Sequence, residues 1–293
     1  EKRVRSYDGR ETAPAAARPE RFLDASGKPL ALAEAIASGR AVGVPGALRM
    51  LEAAHRRHGR IAWGKLFDPA IRLAEQGFPM SPRLYRFLDA DSVLREDPAA
   101  RALYYDRDGR PRPAGARIVN AEYAATLRAI ATFGADALYT GAIAQDIVRA
   151  VAAHRRPGDL ALEDLARYQA LERDPLCGEY RGRRVCSMGP PAGGVTLLQM
   201  LGILERTPLH RAAPGSAEAV HLFSEAARLA YADRARYVAD PAFVPQPLAG
   251  LLEPGYLEAR ALQIGARSMG RAEPGAPRGA PAGRGARPGG EAA

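Results

Sequence analysis

Lysine and cysteine are scarce in this 293-residue sequence. Three of its 42 basic residues are lysines (Lys2, Lys28 and Lys65), and the arginines that make up the rest are scattered singly, often beside Asp or Glu. Basic blocks interleaved with aromatic residues, zinc-finger spacings and RNA-binding signatures are all missing, so the net charge of +9 does not indicate a nucleic-acid partner. The charge bears on solubility and long-range fields instead.

Long apolar runs are missing as well. No stretch reaches the roughly 20 apolar residues that a membrane-spanning helix needs. The charged residues 1–5 are not typical of a signal peptide, and the lack of an initiator Met indicates a fragment or a processed piece.

The sequence predicts neither a metal site nor a cofactor. His55 and His58 share one face of a predicted helix, but no third ligand accompanies them, and Arg56 and Arg57 would repel a cation. The glycine-rich stretch at 189–194 lacks the Lys-Ser/Thr pair that follows a phosphate-binding loop.

Hydrophobic residues make up 47% of the chain, which is typical of a globular protein, and the length allows one large domain or two small ones. The amino-acid composition changes at residue 266. Residues 266–293 consist mostly of Ala, Gly and Pro with several arginines, and such a segment cannot build a core. We expect a folded region over 1–265 and a disordered tail over 266–293.

Helical patterns dominate the second half of the chain. Residues 195–204 are apolar nearly all round, which indicates a buried helix. Asn120 is a suitable N-cap for a helix that runs through Phe133 and ends at Gly134, and Ser216 is a suitable N-cap for a long helix that ends before Asp240-Pro241. Its predicted inward face consists of Val220, Phe223, Ala227, Ala230 and Tyr231. Its charged residues, expected outside or in salt bridges between elements, are Glu225, Arg228, Asp233 and Arg234.

The two cysteines flank a β-hairpin signal. If residues 181–182 form a two-residue turn, counting outward places Cys177 opposite Cys186 at a non-hydrogen-bonded pair. Cα atoms at such a pair lie about 4.5 Å apart, close enough for a disulfide. The sequence predicts a cross-strand disulfide between them, which would imply an oxidising compartment. Two free buried thiols are the alternative.

Unlike polar groups crowd into residues 7–14, Tyr-Asp-Gly-Arg-Glu-Thr-Ala-Pro, after a strand-like run at 4–7. Asp8-Gly9 breaks the strand pattern and places Arg10 at a strand end. Arginine stays charged and presents a planar fork that grips a carboxylate through two parallel bonds. The hypothesis is therefore a carboxylate ligand for Arg10. The alternative is that Arg10 and Glu11 are neighbouring surface charges in a loop.

The Asp-Gly-Arg-Glu-Thr-Ala-Pro segment resembles the signature of the γ-glutamyltransferase (γ-glutamyltranspeptidase) family, in the large subunit of these two-subunit N-terminal-nucleophile hydrolases. Further segments follow in the family's order and with its spacing, so that the resemblance covers about residues 8–264. They are Val-Gly-Val-Pro-Gly at 42–46, Asp-Pro-Ala-Ile at 68–71, Ala-Leu-Tyr-Thr-Gly at 137–141, Asp-Leu-Ala-Arg-Tyr at 164–168, Gly-Pro-Pro-Ala-Gly-Gly at 189–194 and Tyr-Ala-Asp-Arg at 231–234.

The resemblance implies that the catalytic nucleophile lies outside this chain. In the family it is a threonine that becomes the first residue of the small subunit after the precursor cuts itself, and its free α-amine serves as the base. No threonine here has that context. Arg10 matches the family arginine that binds the α-carboxylate of the γ-glutamyl substrate, and Glu11 is interpreted as a residue that orients Arg10.

The resemblance also implies an α+β fold, a four-layer αββα sandwich that is incomplete without the small subunit. Residues 1–265 would form the large-subunit domain, lacking its N-terminal segment, and residues 266–293 would precede the autocleavage site. The expected partners are the small subunit and glutathione or other γ-glutamyl compounds, in a periplasmic or secreted location.

The expected reaction of the assembled enzyme is transfer of a γ-glutamyl group to water or an amino acid through an acyl-threonine ester, with this chain inactive alone. Two alternatives stay open. The chain could belong to a cephalosporin (glutaryl) acylase-type relative, or it could be an inactive fragment or non-catalytic scaffold.

Overall fold

A computed structural model describes residues 4–281 of the chain. They form two compact units: residues 8–171, called the N-terminal unit, and residues 4–7 with 172–281, called the C-terminal unit. Both units combine helices with short strands, so the fold is of the mixed α and β kind that the sequence predicts. None of the helices between residues 4 and 281 has the length together with the hydropathy that spanning a bilayer requires.

The helices are named in chain order. Those of the N-terminal unit are α1 (Leu32–Ile36), α2 (Ala47–His58), α3 (Asp68–Gln76), α4 (Pro82–Ala90), α5 (Pro98–Tyr104), α6 (Ala121–Phe133), α7 (Asp136–Tyr139), α8 (Gly141–Ala153) and α9 (Leu162–Arg167). Those of the C-terminal unit are α10 (Gly194–Glu205), α11 (Ala217–Tyr237), α12 (Leu248–Leu251) and α13 (Pro254–Ala261). Short 3-10 turns occur at Pro19–Phe22, Gly39–Ala41, Trp63–Leu66, Leu94–Glu96 and Pro208–Arg211.

The strands pair two by two within residues 4–281. Strand β1 (Ser6–Asp8) pairs with β4 (Leu171–Arg173), and the antiparallel pairs are β2 (Phe78–Pro79) with β3 (Arg117–Ile118) and β5 (Leu176–Tyr180) with β6 (Arg183–Ser187). These strands alone do not form the two large sheets of a four-layer sandwich, so that architecture stays a prediction.

Helix ends follow the predicted capping chemistry. The Asn120 side chain accepts the N–H of Tyr123 at 2.9 Å, and the Ser216 hydroxyl accepts the N–H of Ala219 at 3.2 Å. Each bond satisfies a backbone donor that the first helical turn leaves unpaired. Helix α6 ends at Gly134, whose φ of 76° is a left-handed conformation that glycine adopts without a steric penalty.

The N-terminal unit has two apolar clusters. One joins residues of α7, α8 and α9 to the turn before α2, and the other lies between α4, α5 and β3. The first contains Val44, Ala135, Tyr139, Ala144, Val151, Leu160, Leu165 and Tyr168, and the second contains Met80, Leu88, Tyr105 and Ile118.

Trp63 is the only tryptophan of the sequence and lies in the N-terminal unit. Its indole N–H donates to the carbonyl of Ile130 at 3.0 Å, and its ring stands edge-on to His55 and Phe67 at centroid distances of 5.2 and 5.1 Å. The Nε2 atom of His55 lies 2.7 Å from the Ile61 carbonyl. His55 is thus part of a packing contact, and no cluster of three or more His, Cys, Asp and Glu side chains suited to a metal occurs in the described part of the chain.

The β5–β6 hairpin of the C-terminal unit has the register that the sequence predicts. Arg181 and Gly182 form its turn with φ values of 51° and 68°, because the tight hairpin turn needs two residues with positive φ. Cys177 lies opposite Cys186 with their Cα atoms 4.1 Å apart, and the two sulfur atoms are bonded in the structure.

The core of the C-terminal unit lies where α10, α11 and α13 meet. It consists of Ile203, Leu204, Leu222, Ala226, Leu229, Leu257 and Ala261. Gly202 makes the close approach of α13 possible, because a Cβ atom there would lie 2.6 Å from Leu257 Cδ1. Helix α10 is buried along most of its length, as its apolar sequence predicts.

The inward face of α11 differs in part from the one that its sequence predicts: Ala230 is buried as predicted, and Leu222, Ala226 and Leu229 are buried with it. Val220, Phe223 and Tyr231 are 57%, 54% and 59% exposed, whereas Glu225 and Asp233 are fully buried at 0%. The predicted inward face is therefore wrong for the three large apolar residues. The Glu225 and Asp233 carboxylates of α11 face the interior because hydrogen-bond donors lie there.

The Asp233 carboxylate is surrounded by donors. One oxygen accepts from the side chains of Gln199 at 2.5 Å and Tyr256 at 2.8 Å, and the other accepts the N–H of Gly275 at 2.7 Å and lies 3.3 Å from Arg260 Nη2. Burial and the neighbouring Asp233 carboxylate raise the pKa of Tyr256, so its hydroxyl stays a donor. Pairing and hydrogen bonding offset the cost of burying this charge.

Glu225 is held in the same way, two helical turns earlier. It accepts the N–H of Met269 at 2.8 Å and the hydroxyl of Ser268 at 3.1 Å, and it pairs with the Arg228 guanidinium. Burial alone would raise the pKa of Glu225, but these donors together hold that pKa below its ordinary value.

Residues 266–281 depart from the disorder that their composition indicates. Backbone groups of this tail meet the buried side chains of α11 and α13: Met269 and Gly275 donate to the two carboxylates, and Glu273 O accepts from Arg260 Nη2 at 2.9 Å. Composition misses such an anchor, because most of these bonds use peptide groups of the tail, to which Met269 and Ala272 add apolar contacts with the core. Residues 282–293 lie outside the described residues, and their disorder stays a prediction.

The hairpin register predicts a specific cross-linked peptide. Trypsin separates the two cysteines by cutting after Arg181 and Arg184. We expect a non-reducing digest of protein alkylated at lysis to contain peptide 174–181 linked to peptide 185–206, and reduction to release both. Alkylated, unlinked peptides in the non-reduced digest would instead identify two free thiols.

The buried ion pair predicts a large stability difference. We expect Asp233→Asn to lower the free energy of unfolding by about 3–5 kcal/mol, because it leaves the buried Arg260 guanidinium uncompensated. Arg271→Ala is the matched control, since it removes an ion pair to Glu273 whose side chains are 79% and 78% exposed. Arg271→Ala should lower the free energy of unfolding by less than about 1 kcal/mol. Urea unfolding followed by circular dichroism compares them, and equal effects would contradict the role given to Asp233.

Candidate functional site

Arg10 stands directly after β1, on a loop shaped by Asp8. The buried Asp8 carboxylate accepts the backbone N–H of Arg10 at 2.9 Å, which turns the chain sharply at the end of the strand. The sequence predicts this placement of Arg10 at a strand end, and the structure confirms it.

Two residues of the α9 region hold the loop from the other side. Asp164 accepts the N–H of Ala15 at 2.9 Å with one oxygen and the N–H of Ala161 at 2.9 Å with the other. The Tyr168 hydroxyl donates to the carbonyl of Arg10 at 2.7 Å. Because Asp164 and Tyr168 are four residues apart, one short segment fixes the loop at Arg10 and again at Ala15.

The environment of Tyr168 keeps its hydroxyl protonated. Burial raises the pKa of Tyr168 to about 12, and the neighbouring Asp8 carboxylate, Tyr139 and Glu11 add to the effect. The Tyr168 ring stacks on Tyr139 with centroids 6.0 Å apart, and Tyr139 in turn donates to the Pro45 carbonyl at 2.6 Å. Tyr168 therefore remains a hydrogen-bond donor to Arg10 throughout the neutral and mildly alkaline range.

The Val-Gly-Val-Pro-Gly segment forms the third support of the loop. Thr12 and Val44 exchange two backbone bonds, Thr12 N–H to Val44 O at 3.3 Å and Val44 N–H to Thr12 O at 2.8 Å. A Cβ atom on Gly46 would lie 2.0 Å from the Tyr168 hydroxyl and 2.4 Å from Gly9 O. Glycine at position 46 is thus what allows the loop, the turn and the tyrosine to meet.

The Arg10 side chain itself is accessible. Its Nε atom lies 3.2 Å from Glu11 Oε1, and the two side chains are 53% and 60% exposed. The structure therefore brings together the two predicted site residues, in an arrangement where Glu11 contacts the inner nitrogen of the guanidinium. Such an exposed pair contributes little to stability.

Two concavities of the N-terminal unit are lined by residues other than Arg10. One of about 570 Å³ is lined by Arg18, Arg21 and Arg40 together with acidic residues, and another of about 460 Å³ is lined by Lys65 and Arg128 among others. The candidate site within this chain is accordingly a charged side chain on a pinned loop rather than an enclosed pocket.

Sequence reasoning identified Arg10 and Glu11 but missed the residues that support them. The segments at 42–46 and 164–168 carry the family resemblance, but the sequence alone does not indicate that both contact the arginine loop. A usable signal was present in Asp164 and Tyr168, because a carboxylate and a phenol four residues apart project from the same side of a helical turn.

Comparisons with known proteins agree on one family. The family model described as Gamma-glutamyltranspeptidase matches residues 1–286. Among solved structures, the crystal structure of Helicobacter pylori gamma-glutamyltranspeptidase superposes with a TM-score of 0.82 at 32% identity, covering 88% of this chain and 74% of that one.

Curated relatives are longer than this chain. A glutathione hydrolase proenzyme of Bacillus subtilis (strain 168) is 37% identical over 254 residues, which is 86% of this chain and 43% of the relative. The Acylase ACY 1 proenzyme of Pseudomonas sp. (strain SE83) is 40% identical over 227 residues, 77% of this chain and 40% of the relative. The chain therefore spans less than half the length of the curated relatives it matches.

The close packing at Gly46 predicts a steric effect. We expect Gly46→Ala to displace the Arg10 loop and to lower the free energy of unfolding by about 1–3 kcal/mol, the usual cost of overpacking. Gly255 in α13 is the matched control, because a Cβ there meets nothing within 4 Å. Gly255→Ala should be neutral or stabilise by up to about 1 kcal/mol. Thermal unfolding distinguishes the two, and a Gly46→Ala protein as stable as the wild type would contradict the packing described.

Proposed function

Because the chain belongs to the gamma-glutamyltranspeptidase family, we propose that it is the large-subunit part of a γ-glutamyltransferase, or glutathione hydrolase. The assembled enzyme transfers the γ-glutamyl group of glutathione-like donors to water or to an amino acid. The intermediate is an acyl ester on a threonine of the small subunit, which the proenzyme releases by cutting itself. Alone, this chain is inactive.

The observation that carries the proposal is an accessible arginine on a loop pinned from several sides. Asp8 and Tyr168 fix the backbone of Arg10, and Thr12 is paired to Val44. A guanidinium held in this way suits the α-carboxylate of a γ-glutamyl substrate, because bidentate pairing needs a fixed approach direction. A charged hydrogen bond of this kind contributes about 1.5–3 kcal/mol, or about one to two decades of affinity.

The contribution of this chain to the reaction is positioning. With the α-carboxylate on Arg10 and Glu11 directing the guanidinium, the γ-carbonyl at the other end of the substrate is held for attack. The threonine hydroxyl of the small subunit adds to that carbonyl while its own α-amine takes the proton. The amine of the donor departs with a proton, and water or an acceptor amine then cleaves the ester.

Architecture and location complete the proposal. The small subunit adds its strands to those of this chain and completes a four-layer αββα sandwich of the N-terminal-nucleophile hydrolase type. The Cys177–Cys186 cross-link fits a periplasmic or secreted protein, since disulfides persist in oxidising compartments.

The proposal is tested by release of p-nitroaniline from γ-glutamyl-p-nitroanilide. We expect release by this chain co-expressed with the reading frame that follows Ala293, and none by residues 1–293 alone. Release by the single chain would overturn the assignment of the nucleophile to the small subunit. No release by either preparation would favour a non-catalytic scaffold or a different acyl group.

Arg10→Ala tests the substrate contact in the assembled enzyme. We expect KM for γ-glutamyl-p-nitroanilide to rise by about 10- to 100-fold with self-cleavage intact, because the lost contact is to the substrate alone. Arg10→Lys keeps the charge but lacks the planar guanidinium fork, so its KM should lie between those of the wild type and Arg10→Ala. Arg18→Ala, at an exposed arginine that follows the same loop, is the control with unchanged KM. A normal KM in Arg10→Ala would remove Arg10 from the site.

The acylase relative supports a second candidate, a cephalosporin-acylase-type enzyme acting on a glutaryl group. A glutaryl group keeps the terminal carboxylate of a γ-glutamyl group and lacks its amino group, so Arg10 would suit either. The two candidates are separated by comparing glutaryl- and γ-glutamyl-p-nitroanilide as substrates of the assembled protein. Faster release from the glutaryl compound would favour the acylase.

A further inference from the structure

The outward face of α11 is a continuous apolar stripe. Val220, Phe223, Ala227 and Tyr231 recur at the three- and four-residue spacing of one helix face and extend over about 16 Å of helix. Their three large members are all more than half exposed. These four residues are called the α11 stripe.

The stripe cannot turn inward within this chain. At 100° per residue, Glu225 and Asp233 lie about 155° and 125° around α11 from the middle of the stripe, so both are on its other side. Rotating the helix would break the bonds from Glu225 to residues 268–269 and from Asp233 to Arg260, leaving charges unpaired. The buried carboxylates therefore fix the apolar side chains on the outside.

Helix α11 carries apolar residues on both sides, because its inner side buries Leu222, Ala226 and Leu229 beside the two carboxylates while its outer side carries the stripe. A helix at the edge of a globular protein buries its apolar side and exposes charges. Single exposed apolar residues are common and need no explanation, but a row of them on a helix whose other side is already buried indicates a surface that another segment covers.

The remainder of the proenzyme is the occupant that fits. The chain spans 43% of the Bacillus subtilis proenzyme, so the relatives carry more than half of their length in segments absent here. The tail is bonded to the inner side of the same helix, and Pro281 lies only six residues beyond Gly275, at most about 20 Å of extended chain. A second copy fits less well, because two chains that each carry a net charge of +9 repel.

Resting on the two-part assembly proposed above, we propose that the α11 stripe is the docking surface for the part of the proenzyme that carries the nucleophile. Phe223 and Tyr231 are its aromatic anchors. Each turn of α11 then serves both parts of the protein: its carboxylates hold the tail of this chain, and its apolar residues hold the segment that follows.

Phe223→Asp in the affinity-tagged, full-length proenzyme tests the proposal. We expect the amount of small subunit that co-purifies with the tagged large subunit to fall at least tenfold. Phe223→Leu, which keeps an apolar anchor, should restore assembly. Phe133→Asp is the matched control, since Phe133 is 73% exposed in the N-terminal unit and should leave co-purification unchanged.

Each other outcome overturns the docking surface. Wild-type co-purification in Phe223→Asp would show that the stripe is not needed. An equal loss in Phe133→Asp would mean that any exposed charge at these positions impairs assembly. A matching loss of thermal stability in residues 1–293 carrying Phe223→Asp would assign the residue a structural role within this chain.

Two further readouts separate this inference from competing explanations. A wild-type dimer of residues 1–293, seen by light scattering and lost in Phe223→Asp while the proenzyme assembles normally, would assign the stripe to a second copy and overturn the proposal. The wild-type proenzyme could assemble, lose assembly in Phe223→Asp and still release no p-nitroaniline. That result would support the docking surface and reject the proposed activity, because co-purification does not depend on catalysis.

Discussion

Two buried carboxylates on one helix determine how the C-terminal unit is built. Glu225 and Asp233 are eight residues apart on α11 and point into the same interior. Because a helix has a fixed angular step, satisfying both at once leaves no freedom in its rotation. The tail is bonded to both acids, Arg260 pairs with Asp233 and donates to the Glu273 carbonyl, and the α11 stripe is left facing out. The ordered tail and the exposed apolar stripe thus have one cause.

The arginine loop is held in a different way, mainly by hydrogen bonds to its backbone groups. Segments far apart in the sequence meet there: the end of β1, the turn before α2 and the start and end of α9. Nearly every bond to the loop uses a main-chain N–H or carbonyl, so the side chains of Arg10 and Glu11 take no part in holding their own support. The loop backbone is therefore held independently of these two side chains, and the Arg10 guanidinium stays exposed.

Local signals predicted much of the fold. Asn120 and Ser216 as caps, Gly134 as a helix end and the hairpin around residues 181–182 each depend on chemistry within a few residues, and all are found where the sequence places them. Arg10 and Glu11 were likewise selected from a local cluster of polar groups, and their role in binding stays a prediction. Such features are predictable because their energetics involve near neighbours.

What the sequence did not predict depends on distant partners. The inward face of α11 was misjudged because apolar periodicity counts side chains and takes no account of buried donors such as Arg260 and the N–H groups of residues 269 and 275. The supporting role of Tyr168 was missed for the same reason, since its partner is a peptide carbonyl 158 residues away. Periodicity detects amphipathic surfaces, and it cannot tell which of them will be covered within the same chain.

The lone indole of the protein has an optical consequence. Trp63 is wedged between His55 and Phe67 and bonded to Ile130, so its emission depends on packing in the N-terminal unit. The C-terminal unit, with the disulfide, the buried acids and the tail, has no indole of its own. Tryptophan fluorescence, excited at the red edge of the absorption band, therefore reports on the N-terminal unit alone. Circular dichroism reports on the helices of both units. The pair of signals reveals whether the two units melt together or in sequence, without any label.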